Sequence, residues 1–217
     1  VIPLKYDGAE SFFGGLASVN QNGKWGFIDK TGKVIVELKY DGAGAFSEGL
    51  GRVKQNGKWG FIDKTGKVVI AIKYDDLGGF SEGRAQVSLN KKSGFIDKAG
   101  KVIVELKYDD AKYFSEGLAG VKQYGRWGFV DKAGKIIIQP KYDNAYSFYE
   151  GLAAVQENGK SDGGKWIWGK WSFIDKTGKE IIKPQYKYAN SFTNGKAKVT
   201  DDNGRDFYID KTGKEVK

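Results

Sequence analysis

Carboxylates that recur at a fixed spacing are the residues of this chain best suited to chemistry. Paired carboxylates act as acid and base in glycosidases, and dense carboxylate clusters bind calcium. One set of aspartates recurs every 34 residues, with intervals of 44 and 35 at the last two steps: Asp29, Asp63, Asp97, Asp131, Asp175 and Asp210. A set of glutamates follows the same repeat: Glu48, Glu82, Glu116 and Glu150. Residues repeated in this way belong first to the repeated unit. We therefore predict that they hold turns and that none is catalytic.

The composition removes other kinds of chemistry. The chain contains no His and no Cys, so it lacks the usual general base near neutral pH, thiolate metal ligands and cysteine nucleophiles. We predict no cofactor and no metal site, and a carbohydrate-active enzyme is only the weaker alternative. No apolar run is long enough to span a membrane. The absence of Met leads us to expect a fragment of a longer protein, or a chain whose leader has been removed.

The net charge of +9 is distributed along the repeats and not gathered in a tail. One copy supplies Lys24, Lys30, Lys33 and Lys39. These lysines are typical of solvated turns. They could also form a periodic basic stripe that binds nucleic acid or another acidic polymer, with an affinity that falls steeply with salt.

Three short extended segments make up each repeat. In the first complete copy they are residues 16–21, 24–29 and 33–38, rich in β-branched and aromatic residues. Asn22-Gly23 and the turn that starts at Asp29 separate them, which predicts a three-stranded antiparallel meander.

The segment that follows, residues 39–49, has a different periodicity. Its recurring apolar residues are Tyr40, Ala43 and Phe46. A spacing of three predicts a helical or 3₁₀ turn that packs one face on the sheet.

Apolar residues occupy both faces of the predicted strands. In residues 24–29, Trp25 and Phe27 point to one face and Ile28 to the other. A strand that is apolar on both faces is covered on both, so the sheets are expected to stack face to face. Gly26 would leave room for a large ring of the next unit. The template Trp residues are expected in the core between repeats, or as an exposed stacking ladder.

These observations predict an all-β fold. Residues 1–217 form a single array of six units of about 34 residues, each a three-stranded antiparallel sheet. The units stack face to face as an open twisted solenoid. A closed six-bladed propeller-like ring is the alternative.

An insertion within residues 157–171 breaks the repeat and adds ten residues. It contains Trp166 and Trp168, flanked by Lys165 and Lys170. One interpretation is a lengthened hairpin whose two Trp side chains pack on the protein. The other is a binding loop, since function is often found where a scaffold departs from regularity. These four residues are the candidate ligand-binding residues.

The residues KWGFIDKTGKVIV from Lys24, with the trailing KYD and FSEG, resemble the WG-repeat family of bacterial proteins, also called KWG repeats. The resemblance covers six copies and nearly the whole chain. It departs at Ser93, which replaces the Trp, and in the last copy, which reads DFYID from Asp206 to Asp210. The resemblance implies a bacterial β-rich array in the cell envelope or in a secreted protein. It implies no enzyme activity.

The functional prediction is a non-enzymatic binding or scaffold module of a bacterial envelope or secreted protein. It would recognise a protein or a cell-surface glycan through its repetitive surface and the Trp-rich loop. The alternative is an electrostatic binder of nucleic acid or an acidic polymer. The sequence leaves the ligand and the oligomeric state open.

Overall fold

A computed structural model describes residues 5–162, 165–167 and 169–216, without the side chains of residues 161, 162 and 165–167. The chain forms two compact units, residues 1–107 and 108–217. Every regular element in these ranges is a β-strand, which confirms the all-β prediction. No helix there is long and apolar enough to cross a membrane.

Three four-stranded antiparallel sheets come first, and in each the strands pair in chain order. Sheet 1 consists of β1 (Gly8–Ala9), β2 (Leu16–Gln21), β3 (Lys24–Asp29) and β4 (Val34–Tyr40). Sheet 2 consists of β5 (Gly42–Ser47), β6 (Leu50–Gln55), β7 (Lys58–Ile62) and β8 (Val68–Tyr74). Sheet 3 consists of β9 (Asp76–Leu77), β10 (Ala85–Leu89), β11 (Lys92–Ile96) and β12 (Val102–Tyr108).

Three further sheets follow, and the fifth carries the insertion. Sheet 4 consists of β13 (Asp110–Ala111), β14 (Leu118–Gln123), β15 (Arg126–Asp131) and β16 (Ile136–Tyr142). The next strands are β17 (Asn144–Ala145), β18 (Ala153–Gln156), β19 (Lys160–Asp162), β20 (Lys165–Ile167), β21 (Trp171–Ile174) and β22 (Glu180–Tyr186). Sheet 5 has the order β17-β18-β21-β22, and β19 and β20 form a separate hairpin. Sheet 6 consists of β23 (Tyr188–Ala189), β24 (Ala197–Thr200), β25 (Asp206–Ile209) and β26 (Glu215–Val216).

The two turns of the meander form as the sequence predicts. Asn22 and Gly23 both adopt positive φ, 53° and 75°, the conformation that a tight hairpin requires. In the second turn, Asp29 Oδ1 accepts hydrogen bonds from the backbone N–H of Thr31 at 2.9 Å and of Lys33 at 3.1 Å. The recurring aspartates are therefore turn residues.

The segment after the meander is not helical, so that prediction was wrong. Residues 42–47 form β5, which pairs with β6 and adds a fourth strand to the sheet. In the other sheets the corresponding strand has two residues. The spacing of three has two causes. Tyr40 ends a strand of sheet 1, whereas Ala43 and Phe46 belong to sheet 2. Within sheet 2, the register of the strand shifts between Gly44 and Phe46.

The sequence suggests that the glycine after the template Trp leaves room for a ring of the next unit. In the structure this glycine contacts the neighbouring strand instead. A Cβ on Gly60 would lie 2.7 Å from the carbonyl oxygen of Ile70 and 2.7 Å from the Cα of Ile72. Both atoms belong to the neighbouring strand β8, and the register shifts between Trp59 and Phe61. The glycine is therefore required by close contact between two backbones at a bulge.

Aromatic pairs join consecutive sheets within each unit. In the first unit the rings of Phe27 and Phe46 lie 4.9 Å apart at 74°. In the second unit, Phe173 of sheet 5 and Phe192 of sheet 6 lie 5.0 Å apart at 64°. The core thus lies between the sheets, which confirms face-to-face stacking within each unit.

The recurring glutamates also join neighbouring sheets. Glu116 Oε2 accepts a hydrogen bond from the backbone N–H of Gly151 at 2.9 Å and pairs with Lys176 Nζ at 3.1 Å. Partial burial alone would raise the pKa of the Glu116 carboxyl, but the hydrogen bonds from Lys176 and Gly151 outweigh it, so its pKa lies below the usual value. Glu48 makes the same bonds to Gly83 and Lys98. These glutamates therefore serve the scaffold.

Candidate functional site

An aspartate at the start of each of the first five sheets binds the hairpin turn of the same sheet. We call this arrangement the Asp clasp. Its members accept a hydrogen bond from a backbone N–H at 2.6, 2.7, 2.7, 3.4 and 2.8 Å; they are Asp7, Asp41, Asp75, Asp109 and Asp143.

The Asp clasp also holds a cation of the preceding sheet. Lys24 Nζ pairs with Asp41 at 2.8 Å, and Lys58 pairs with Asp75. Hydrogen bonds from Lys24 and from the Asn56 backbone hold the pKa of Asp41 below its usual value. At these junctions, therefore, each lysine charge is neutralised by the carboxylate that follows it.

Sheet 6 places Lys187 where the other sheets have the clasp aspartate. The backbone N–H of Lys187 donates to the Thr200 carbonyl oxygen at 2.8 Å, as the N–H of Asp41 donates to the carbonyl oxygen of Lys54 at 2.8 Å. Lys170 precedes the template Trp171 and so corresponds to Lys24. This junction therefore lacks the clasp carboxylate and carries the Lys187 ammonium in its place, while Lys170 pairs with Asp202 instead.

A pocket of about 470 Å³ opens at this junction, between sheets 5 and 6. Both sheets belong to the second compact unit. Apart from one glycine, the lining residues are polar, cationic or aromatic: Asn144, Tyr146, Gln156, Gly169, Lys170, Trp171, Lys187 and Tyr188.

Stacked aromatic rings form one wall of the pocket. Trp171 and Tyr146 lie 5.1 Å apart with an interplanar angle of 20°. Trp171 is buried, whereas Tyr146 is 37% exposed and Tyr188 is 61% exposed. The ammonium of Lys112 lies 5.4 Å from the centre of the Tyr146 ring. Burial lowers the pKa of the Lys112 ammonium. The arrangement fixes the Tyr146 ring and leaves the Tyr188 ring accessible.

Two side-chain amides form the polar part of the lining. Gln156 is buried, and its Nε2 donates to the carbonyl oxygen of Gly169 at 2.9 Å. Asn144 Oδ1 accepts from the backbone N–H of Ala145 at 3.0 Å. A Cβ at Gly169 would collide with the carbonyl oxygen of Glu157, so a glycine is required where the insertion returns to the sheet.

The four residues predicted from the insertion have different positions. Lys170 lines the pocket and pairs with Asp202. Lys165 and Trp166 lie on β20, which pairs with β19 in a lengthened hairpin, but their side chains lie outside the described part of the chain. Trp168 lies outside the described residues altogether. The prediction for these three side chains therefore stays a prediction.

Most of the pocket lining was missed by the sequence reasoning. Lys187 and Tyr188 follow the recurring tyrosine of the last copy, Tyr186, where the other copies read Tyr-Asp. The replacement of Asp by Lys in one copy of a repeated dipeptide was the sign that could have revealed the site. Within the described residues, no three Asp or Glu side chains gather as a metal site.

Three solved structures share the fold at low sequence identity. BamB from Moraxella catarrhalis is 14% identical, with a TM-score of 0.52 over 97% of this chain and 75% of its own. A eukaryotic initiation factor is 10% identical, with a TM-score of 0.60 over 92% and 62%. The dihydro-heme d1 dehydrogenase NirN, in complex with DHE, is 14% identical, with a TM-score of 0.52 over 97% and 56%. The chain thus spans less than two thirds of the last two, and these likenesses concern the fold alone.

The repeat itself matches a known family. No curated protein matches the chain. The family model described as WG containing repeat matches six segments: residues 1–25, 25–59, 59–92, 94–127, 127–160 and 171–204. The matched segments cover most of the chain and leave out residues 161–170 of the insertion. The chain belongs to the WG-repeat family.

Proposed function

We propose that this chain is a non-enzymatic binding module of a bacterial envelope or secreted protein. The pocket between sheets 5 and 6 would recognise a protein or a cell-surface glycan. One observation carries the proposal: the pocket lies at the junction where Lys187 replaces the Asp clasp and where the inserted residues rejoin the sheet.

The regular repeats suit the role of a rigid support. Four of the eight lining residues lie within strands: Asn144, Gln156, Trp171 and Tyr188. Lys187 adjoins β23, and its backbone N–H donates to the Thr200 carbonyl oxygen. Side chains fixed on strands hold a binding geometry better than side chains on free loops, because less conformational entropy is lost on binding.

The recurring lysines support this function over nucleic-acid binding. In the second unit, Lys176 and Lys211 each pair with a glutamate of the preceding sheet, Glu116 and Glu150. In the first unit Lys98 pairs with Glu48 in the same way. A basic stripe needs cations that are available to phosphates, and these cations already have carboxylate partners.

The recurring carboxylates support a module without catalysis. A general acid or base must reach a substrate and exchange a proton with it. The Asp29 carboxylate is instead held by the Thr31 hydroxyl and by turn N–H groups, and Glu116 joins two sheets. The chain also lacks His and Cys. We therefore propose binding without turnover.

A binding screen at low and high salt tests the proposal. The full chain is presented to a glycan array, bacterial cell-wall fractions, envelope proteins and nucleic acid. Tyr188→Ala removes the exposed ring of the pocket. Tyr208→Ala is the matched control, because Tyr208 is 49% exposed and does not line the pocket.

We expect the parent and Tyr208→Ala to retain the same partner at high salt, and Tyr188→Ala to lose it. Equal binding by all three proteins would contradict the proposal. Binding to nucleic acid that collapses with salt and ignores Tyr188 would favour the electrostatic alternative.

A further inference from the structure

We propose that the pocket between sheets 5 and 6 binds the carboxylate of an acidic sugar, a uronic acid unit of a glycan. The inference rests on the proposed function and specifies its ligand. It starts from the charge at one position. The first five sheets start with a carboxylate that accepts a turn N–H, and the sixth starts with Lys187 on the same backbone hydrogen bond.

The two lysines of the pocket leave room for an anion. Lys187 has no carboxylate partner among the residues the structure describes, and its ammonium lies 5.9 Å from the centre of the Tyr188 ring. Lys170 pairs with Asp202, whose side chain is 67% exposed, whereas the glutamates that pair with the recurring lysines Lys98, Lys176 and Lys211 are only 29% to 31% exposed. Exposed ion pairs contribute little and exchange readily. A ligand carboxylate can therefore take the place that an aspartate occupies at the other junctions.

The lining carries no counter-charge of its own. None of the eight described lining residues is acidic. The Lys187 ammonium attracts an anion, and Lys170 on the same concave surface can add to this attraction if it exchanges its exposed partner Asp202. A hydrogen bond between charged partners is about twice as strong as one between neutral partners. The ligand is thus expected to bring the negative charge.

The remaining lining favours a sugar ring over a simple anion. The Tyr188 ring is 61% exposed and offers an apolar face. Asn144 and Gln156 each make one side-chain hydrogen bond in the described part of the chain, which leaves amide groups for hydroxyls. A volume of about 470 Å³ lies in the range of small-ligand sites. A free phosphate would use the lysines and leave the ring and the amides without a role.

The test is calorimetric titration of the full chain with trigalacturonic acid and with its methyl ester. Both probes have the same rings and hydroxyls, and only the acid has carboxylates. We expect the acid to bind at least about tenfold more tightly than the ester. Lys187→Asp should reduce the affinity for the acid at least about tenfold, because it places the clasp carboxylate in the site.

Two further variants make the result interpretable. Lys183→Asp is the matched control, because it causes the same change of charge on the exposed face of β22, away from the pocket lining. It should bind like the parent. Lys187→Gln removes the charge without adding a carboxylate, and it should also weaken binding. It takes the place of Lys187→Asp if that variant is unstable. Circular dichroism and thermal unfolding establish that each variant is folded.

Several outcomes would overturn the inference. Equal affinity for the acid and the ester would mean a neutral sugar site. Full binding of the acid by folded Lys187→Asp would mean that Lys187 does not hold the carboxylate. If triglutamate or inorganic phosphate binds and trigalacturonic acid does not, the ligand class is wrong. Each of these outcomes would overturn the uronic acid ligand alone. The proposed binding function would remain supported if Tyr188→Ala loses the partner found in the screen. It fails separately if Tyr188→Ala retains that partner.

Discussion

The backbone N–H of Lys187 donates to the Thr200 carbonyl oxygen over 2.8 Å, the bond that the clasp aspartates make in the other sheets. The sixth sheet therefore keeps the geometry of the junction and reverses the charge of the side chain. Repeated proteins permit such a change because each unit is stabilised mainly by its neighbours. One junction can thus acquire a ligand site while the rest of the array remains regular.

Removing one glutamate between sheets should weaken the stacking. Glu116→Asn loses the hydrogen bond to Gly151 and the ion pair with Lys176. It keeps the positive φ of 53°, which Asn194 adopts at the equivalent position. We expect a loss of about 1 kcal/mol in the free energy of unfolding, measured by chemical denaturation. Glu37→Asn is the control, since the Glu37 side chain is 84% exposed, and a similar loss there would contradict the account.

A methyl group on the glycine after the template Trp should destabilise the sheet. Gly60→Ala places a Cβ 2.7 Å from the Ile70 carbonyl oxygen, so strand β8 must shift. We expect a loss of about 2 kcal/mol, as for other overpacked interior positions. Gly78→Ala is the control, because its nearest neighbour would be 3.7 Å away. Equal unfolding midpoints for the two variants would rule out the backbone contact.

Acid should weaken the turns that begin with aspartate. The Thr65 hydroxyl, followed by turn N–H groups, donates to Asp63 and holds its pKa below the usual value. A carboxyl whose pKa is lower in the folded state stabilises the fold above its unfolded pKa, and this contribution is lost as the pH falls through the folded value. The melting temperature should therefore fall as the pH drops below about 4. The melting temperature of Asp63→Asn should fall less over the same pH range. If this variant shows the same pH dependence as the parent, the turn is not its source.

The two Trp residues of the insertion provide a separate test. If they belong to a binding loop, Trp166→Ala/Trp168→Ala loses the partner found in the screen and keeps the melting temperature of the parent. The prediction comes from their position in the sequence, close to the pocket residue Lys170. A folded double variant that binds like the parent would remove them from the site. A large fall in melting temperature would show that they are part of the core.

The sequence predicts the local structure well where one interaction decides it. Asn22-Gly23 needs positive φ, and Asp29 accepts the N–H groups of its own turn. Both effects act within a few residues, so the pattern is sufficient. The segment from Tyr40 to Phe46 was misread because its apolar residues belong to two different sheets. Periodicity cannot distinguish one helical face from a chain that crosses between sheets.

The candidate site was predicted only in part, because it depends on contacts between repeats. Lys170 was recognised from its place in the insertion. Tyr146 and Trp171 come together only when the sheet forms, since they are 25 positions apart in the sequence. Lys187 could have been recognised by aligning the copies, but its importance requires knowing what the aspartate does at the other junctions.

The central claim is that this WG-repeat array binds its partner at the junction of sheets 5 and 6. Hydrogen–deuterium exchange of the full chain, with and without the tightest partner from the screen, tests it most directly. The account predicts that protection on binding is concentrated at residues 169–171 and 187–188, with the turns of the regular repeats unchanged. Protection spread over those turns, with none at the two pocket segments, would contradict it.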